Sequence, residues 1–166
     1  MKKNRNLKTI LIAAYLTIPM ALGAVPLTVS AAGSNTITIN SVTGYTNSEI
    51  AAYKIFAGAY DSTNSNLTVT GWGNGISDPT TFIDELKGDS TYGSGSDNLF
   101  YGVTSANTDA AAVAVADIVA GFSSDQTNAE VFSKTALRYK ATASGTLSGN
   151  QITNLEDGYY VIQDKG

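Results

Sequence analysis

The sequence predicts a mainly β chain, a β-sandwich with a helical excursion of two to three helices on one side. Three observations predict it. Runs of β-branched and aromatic residues with period-two alternation lie at both ends of the chain beyond residue 34. Apolar residues at helical spacing fill the middle. Strand and helix do not alternate, and no repeat of 20–50 residues is present, so a doubly wound parallel sheet and a solenoid are both disfavoured.

Each element follows in order. Residues 35–43, with Ile37, Ile39 and Val42 between polar neighbours, read as a half-buried strand ended by Gly44. Residues 49–60 carry Ile50, Tyr53, Ile55 and Phe56 and read as a denser strand inside a sandwich. The polar cluster 61–66 is a turn, and Leu67-Thr68-Val69-Thr70 is the strand that completes a hairpin. Asp78-Pro79 is a helix start, with Asp as N-cap and Pro at the first helical position. Phe82, Ile83 and Leu86 share its apolar face, and Gly88 is its stop. Residues 89–99, rich in Gly and Ser, read as an exposed loop. Thr108-Asp109 opens a second helix whose stripe is Val115, Ile118, Val119 and Phe122, ending at Gly121. Thr127-Asn128-Ala129-Glu130 reads as a capping box opening a third helix, with Phe132, Ala136 and Tyr139 on one face. Strand character returns over 147–155 and, after the turn Glu156-Asp157-Gly158, in Tyr159-Tyr160-Val161-Ile162-Gln163. No closing strand follows, which reads as the N-terminal piece of a longer protein.

Ahead of these elements, Lys2, Lys3, Arg5 and Lys8 precede an apolar stretch that runs from Ile10 to Val29 and exits through Ser30-Ala31-Ala32. A basic start, an apolar middle and a small-residue exit make a secretory signal peptide, residues 1–31, cut after Ala31 or Ala32. Residues 32–166 remain as one domain. Four of the ten basic residues leave with the signal and all fourteen acids stay, so the formal net charge moves from −4 to about −8. Such an acidic surface repels nucleic-acid backbones, and no basic cluster is left for an anionic membrane. The chain has no Cys and no His. Disulfides, thiolate nucleophiles, Ser-His-Asp triads and His- or Cys-based zinc sites are thereby excluded.

Four segments carry a resemblance. In order they are Ala52-Tyr53-Lys54-Ile55-Phe56-Ala57-Gly58, Gly71-Trp72-Gly73-Asn74-Gly75-Ile76, the helical pair ending in Val131-Phe132-Ser133, and Leu155-Glu156-Asp157-Gly158-Tyr159-Tyr160-Val161-Ile162-Gln163-Asp164. Behind a signal peptide, this order resembles the N-terminal domain of the sortase-assembled major pilins of Gram-positive bacteria, the isopeptide-forming fimbrial subunits. The resemblance spans essentially all of residues 32–166. It implies an Ig-like sandwich of the collagen-adhesin-B type, attached to the cell wall in a fimbria. Its implied partners are neighbouring pilin subunits, a pilin-specific sortase and a host-surface ligand, and it implies no cofactor. The family's sorting signal, Leu-Pro-x-Thr-Gly-like, and its Tyr-Pro-Lys-Asn-like lysine motif do not occur here. Polymerisation chemistry is therefore not located in these residues. The family's internal bond joins a Lys to an Asn beside a buried acid. By position the acid is Asp164, but residues 36–43 hold no Lys, and alternation puts Lys54 on the solvent face.

Other constellations have plainer readings. Asp61 to Asn66 has the composition of a calcium loop, but Asn66 and Trp72 stand where the loop needs Gly and an acid, so a hairpin turn is favoured. Asp84-Glu85 and Glu156-Asp157 read as solvated acids rather than a glycosidase pair. Trp72, Tyr53, Tyr60, Tyr101 and Tyr160 read as packing rather than a sugar platform. The expected function is a non-catalytic structural subunit of a surface fimbria, with no catalytic, cofactor or metal residues. The alternative is a secreted carbohydrate- or matrix-binding adhesin module.

Overall fold

The computed structural model describes residues 10–12, 35–39, 50–61, 63–64 and 66–164. Most of the expected signal peptide, the second half of the expected 35–43 strand and Gly44 lie outside them. The described chain folds into strands β1 (Ile10–Ile12), β2 (Asn35–Thr38), β3 (Ile50–Asp61) and β4 (Asn66–Trp72), helices α1 (Pro79–Gly88), α2 (Asp109–Ala120) and α3 (Gln126–Arg138), then β5 (Gly145–Thr146), β6 (Gln151–Leu155) and β7 (Gly158–Asp164).

The main sheet is antiparallel in the order β1-β7-β3-β4, with β5 also paired to β3, and β2 and β6 form a separate two-stranded antiparallel sheet. The order of strands, then helices, then strands is as expected. The balance is not. The described residues are about 34% strand and 38% helix, a mixed α/β fold with antiparallel sheets and no closed barrel among them, rather than a mainly β one. The three expected α-helices account for most of this, and one unexpected segment adds to it. The segment expected as an exposed loop is tightly coiled, with two 3₁₀ turns at Ser90–Tyr92 and Gly95–Asp97. It is held from inside by Asn98. The Asn98 side-chain amide donates to the carbonyls of Leu86, Asp89 and Gly93, and its oxygen accepts from the Phe100 amide. One buried Asn thus satisfies four backbone groups. Tyr92 and Phe100, buried on either side of it, join Phe122 in an aromatic group.

The helix ends follow capping chemistry. Asp78 accepts from the Thr81 amide and Thr108 from the Ala111 amide, as expected. Gly88 ends the helix from within, as its last residue. The third helix opens two residues earlier than Thr127, because Asp125 accepts from the Asn128 amide. Glu130 then turns outward to pair with Lys134 one turn on.

The main sheet divides the interior. On one face, Ala51, Tyr53, Ile55, Phe56 and Val161 pack under the helices, against Phe82, Leu86, Val115, Phe122 and Phe132. On the other, Ile50, Ala52, Tyr160 and Ile162 pack against Ile37, Leu147, Ile152 and Leu155 of the small sheet and its approach. A register shift between Lys54 and Phe56 in the β3–β7 pairing leaves Ile55 as an extra residue. It explains why Ile55 and Phe56, adjacent in sequence, both serve the helical side. Phe56 then pairs with Trp72 on one flank and Tyr159 on the other, at ring separations of 5.5 and 5.7 Å. Phe132 from α3 closes this group at 6.3 Å from Phe56.

Candidate functional site

Three charged residues, Lys54, Glu156 and Asp157, meet at the seam between the two sheets, in and beside the turn that leads into β7. Lys54 reaches it from β3. Its neighbours Tyr53 and Ile55 point to the helical face, so Lys54 points to the other, as alternation requires. That face is not solvent. Lys54 is 7% exposed and its Nζ donates to the Glu156 carboxylate. The expectation of a solvent-facing lysine fails because its stem lies against Gly73 and Gly158, where an added Cβ would come within 2.8 Å of its Cγ and Cδ.

The backbone of Lys54 is clasped as well. Gly73 donates to the Ile55 carbonyl and Gly75 to the Lys54 carbonyl, both at 2.8 Å. A Cβ on Gly75 would lie 2.6 Å from both the Lys54 nitrogen and oxygen, and one on Gly73 would strike the same carbonyl. Only glycines let the Trp72-Gly73-Asn74-Gly75 segment lie this close. The Lys54 amide donates to Ser144 Oγ, which donates in turn to Asn74 Oδ1.

Next to this clasp, Asp157 joins the sheets. Its Oδ1 accepts from Asn35 Nδ2 at 2.8 Å, and its Oδ2 accepts from the Tyr60 amide at 3.0 Å. One carboxylate therefore connects β2, β3 and the turn before β7. The Tyr160 hydroxyl donates to the Glu156 carbonyl, closing the same turn. Burial and the nearby Glu156 and Asp157 push the Tyr160 hydroxyl well above the usual tyrosine range. The turn is entered through Asn154, whose φ of 59° is left-handed, a conformation Asn tolerates better than most residues. A cleft of about 10 Å³ lies at the seam among Tyr60, Leu67, Leu155 and Asp157, room for about one water. In the arrangement present, the Lys54 amine is matched to one carboxylate and the Asn35 amide to another. The chemistry is a set of cross-sheet ties.

The remaining candidates are dispersed. Asp164 closes β7 opposite Ile50, away from the Glu156 turn that holds Lys54. Asp61 accepts from the amides of Thr63 and Asn64 and from Asn64 Nδ2, the hairpin turn as expected. Those bonds, the Asn64 side chain first, hold its carboxyl below the usual range. Asp84 accepts from Ser105 Oγ, while its neighbour Glu85 accepts from Arg138, so this acid pair serves two different contacts. Among the described residues no group of three or more acids could hold a metal ion. The five aromatics form no common platform. Tyr53 and Tyr160 are buried on opposite faces of the sheet, Trp72 packs against the helical core, and Tyr101 stands 61% exposed on a loop. Sequence reasoning missed Lys54 and Glu156 as a pair. The available signal was the run of glycines at 71, 73 and 75, which marks a close backbone approach.

Neither a scan of protein-family models nor searches of curated proteins and of solved structures find a match to this chain. Among the described residues no helix is long and apolar enough to cross a membrane.

Proposed function

We propose that this chain is a structural subunit of a cell-surface fimbria, exported through residues 1–31 and working non-catalytically as an N-terminal pilin domain over residues 32–166. In this reading the two antiparallel sheets are the two layers of an Ig-like sandwich of the collagen-adhesin-B type, with α1–α3 as its helical insertion. Neighbouring subunits and a pilin-specific sortase are its partners, and the assembled shaft serves adhesion.

One observation carries the reading. The segments that define the resemblance meet physically: β3, the Trp72–Ile76 loop and β7 interlock around Lys54, and α3 sends Phe132 into the aromatic group they share. The seam's acids and lysine are consumed in ties between strands, which suits a part that bears load. The test is immunolabelling of the source cells with antibody against residues 32–166. Surface filaments that resist boiling in detergent as a covalent ladder support the reading. Cytosolic signal, or turnover of a small molecule by the purified polypeptide, removes it.

A further inference from the structure

The loop that clasps the Lys54 backbone contains Asn74-Gly75, the one Asn-Gly step in the chain. Such a step carries a reaction of its own. The Gly amide nitrogen attacks the Asn side-chain carbonyl carbon. A bond forms from that nitrogen to Cγ, the bond from Cγ to Nδ2 breaks, and ammonia leaves with the amide proton. Water then opens the cyclic imide at either carbonyl. One opening gives Asp. The other gives isoaspartate, in which the main chain runs through the former side chain and is longer by a carbon. Glycine favours the attack because no side chain restricts its backbone.

The closed clasp withholds this reaction. The Gly75 N–H donates to the Lys54 carbonyl at 2.8 Å, and the Gly75 carbonyl accepts from the Ala141 amide at 2.9 Å. Both backbone groups of the attacking residue are therefore committed elsewhere. A Cβ on Gly75 would lie 2.6 Å from the Lys54 nitrogen and oxygen, so Gly75 has no room to swing toward its neighbour's side chain. That side chain is held too, because Ser144 Oγ donates to Asn74 Oδ1 at 3.3 Å. Asn74 itself is exposed, so access to water is not what is lacking. The nucleophile is pinned, and only opening of the clasp frees it.

We propose that Asn74-Gly75 is a spontaneous modification site gated by the clasp. Closed, it is inert; open, it loses ammonia, and the isoaspartate product bars closure. The lengthened backbone displaces Gly75 from a carbonyl that it approaches with no space to spare. The Asp product keeps the backbone length and still offers Ser144 an acceptor. Isoaspartate at this position thus records the time a molecule has spent unclasped. The inference goes beyond the proposed function and stands apart from it.

The experiment incubates the full chain at mildly alkaline pH, folded and in urea, beside a synthetic peptide of residues 70–78. Peptide mapping by mass spectrometry reads the amide-to-acid change at Asn74, and isoaspartate-specific methylation reads the isomer. The folded chain is expected to react more than about tenfold more slowly than the peptide, at the peptide's rate scaled by the open fraction that hydrogen exchange reports at the Gly75 amide. Urea is expected to restore the peptide's rate. A folded chain that reacts as fast as the peptide, or faster than its open fraction allows, overturns the gate. Chain modified in urea is then returned to buffer and its isoaspartate form isolated. That form is expected to exchange rapidly at Gly73 and Gly75, and an Asn74→Asp chain slowly. Slow exchange in the isoaspartate form overturns the bar on closure, and rapid exchange in both overturns its assignment to the lengthened backbone.

Discussion

The two faces of the main sheet are built on different principles. The helical face is closed by aromatic packing: Phe56, Phe82, Phe122 and Phe132 lie in one connected group, with successive rings 5.6–6.4 Å apart. The other face is covered by a two-stranded sheet that brings few large side chains, chiefly Ile37, Ile152 and Leu155. There the closure is completed by polar ties, Lys54 to Glu156 and Asn35 through Asp157 to Tyr60. A two-stranded sheet is marginal by itself, so its position depends on what fastens it. The lesson is that one face resists through volume and the other through named connections, and the two should fail differently.

The largest expected effect breaks the packed face. Phe132→Ala removes a fully buried ring touching Phe56, Phe82, Phe122 and Tyr159, and is expected to cost about 3–5 kcal/mol in urea denaturation. A smaller change would mean that the helices collapse into the space.

Next come two substitutions that break the tied face. Glu156→Ala leaves the buried Lys54 amine without its carboxylate and is expected to cost about 1–3 kcal/mol. Lys54→Met leaves behind only a carboxylate whose side chain is 56% exposed, and is expected to stay within about 1 kcal/mol of the parent. Equal costs for the two would refute the account of Lys54 as the buried partner.

A smaller effect sharpens the packed face. The Tyr159 hydroxyl and Trp72 Nε1 are buried without hydrogen-bond partners inside that aromatic group. Burial pushes the Tyr159 hydroxyl far above the usual tyrosine range. Tyr159→Phe is expected to stabilise the chain by about 1 kcal/mol, read as a raised denaturation midpoint.

The smallest effect concerns pH at the rim. The Tyr139 hydroxyl first, then Arg138, holds the Glu85 carboxyl below its ordinary value of 4.5. A depressed carboxyl adds stability that is complete above the unfolded value and fades as pH falls through the lower, folded one. Acid titration is therefore expected to weaken the α1–α3 contact below about pH 4.5. The same titration of Glu85→Gln should lose that part of the slope.

Much of the fold was legible because local chemistry agreed with it. The β3–β4 hairpin is carried by Asp61 and its turn, α1 by Asp78 and Pro79, and β7 by its run of aromatic and β-branched residues. Legibility ended where distant parts decide. Asn98 reads as another polar loop residue until its four backbone partners are known. Asp125 displaced the Thr127 capping box because two acceptable caps compete within three residues. The seam was hidden for the same reason. Alternation correctly turned Lys54 away from the helical core, but no local pattern says that Gly73, Gly158 and the Glu156 turn close over it there.

The clasp between Lys54 and the Glu156 turn joins positions 102 residues apart. Sheets that depend on such distant pairing close late, because loop-closure entropy must be met before the contacts that reward it exist. For a polypeptide that emerges N-terminus first, β3 therefore stays without its central neighbour until β7, about a hundred residues later, has been delivered. If residues 1–31 act as the proposed leader, the same delay keeps the molecule unlocked while it is threaded through a narrow pore.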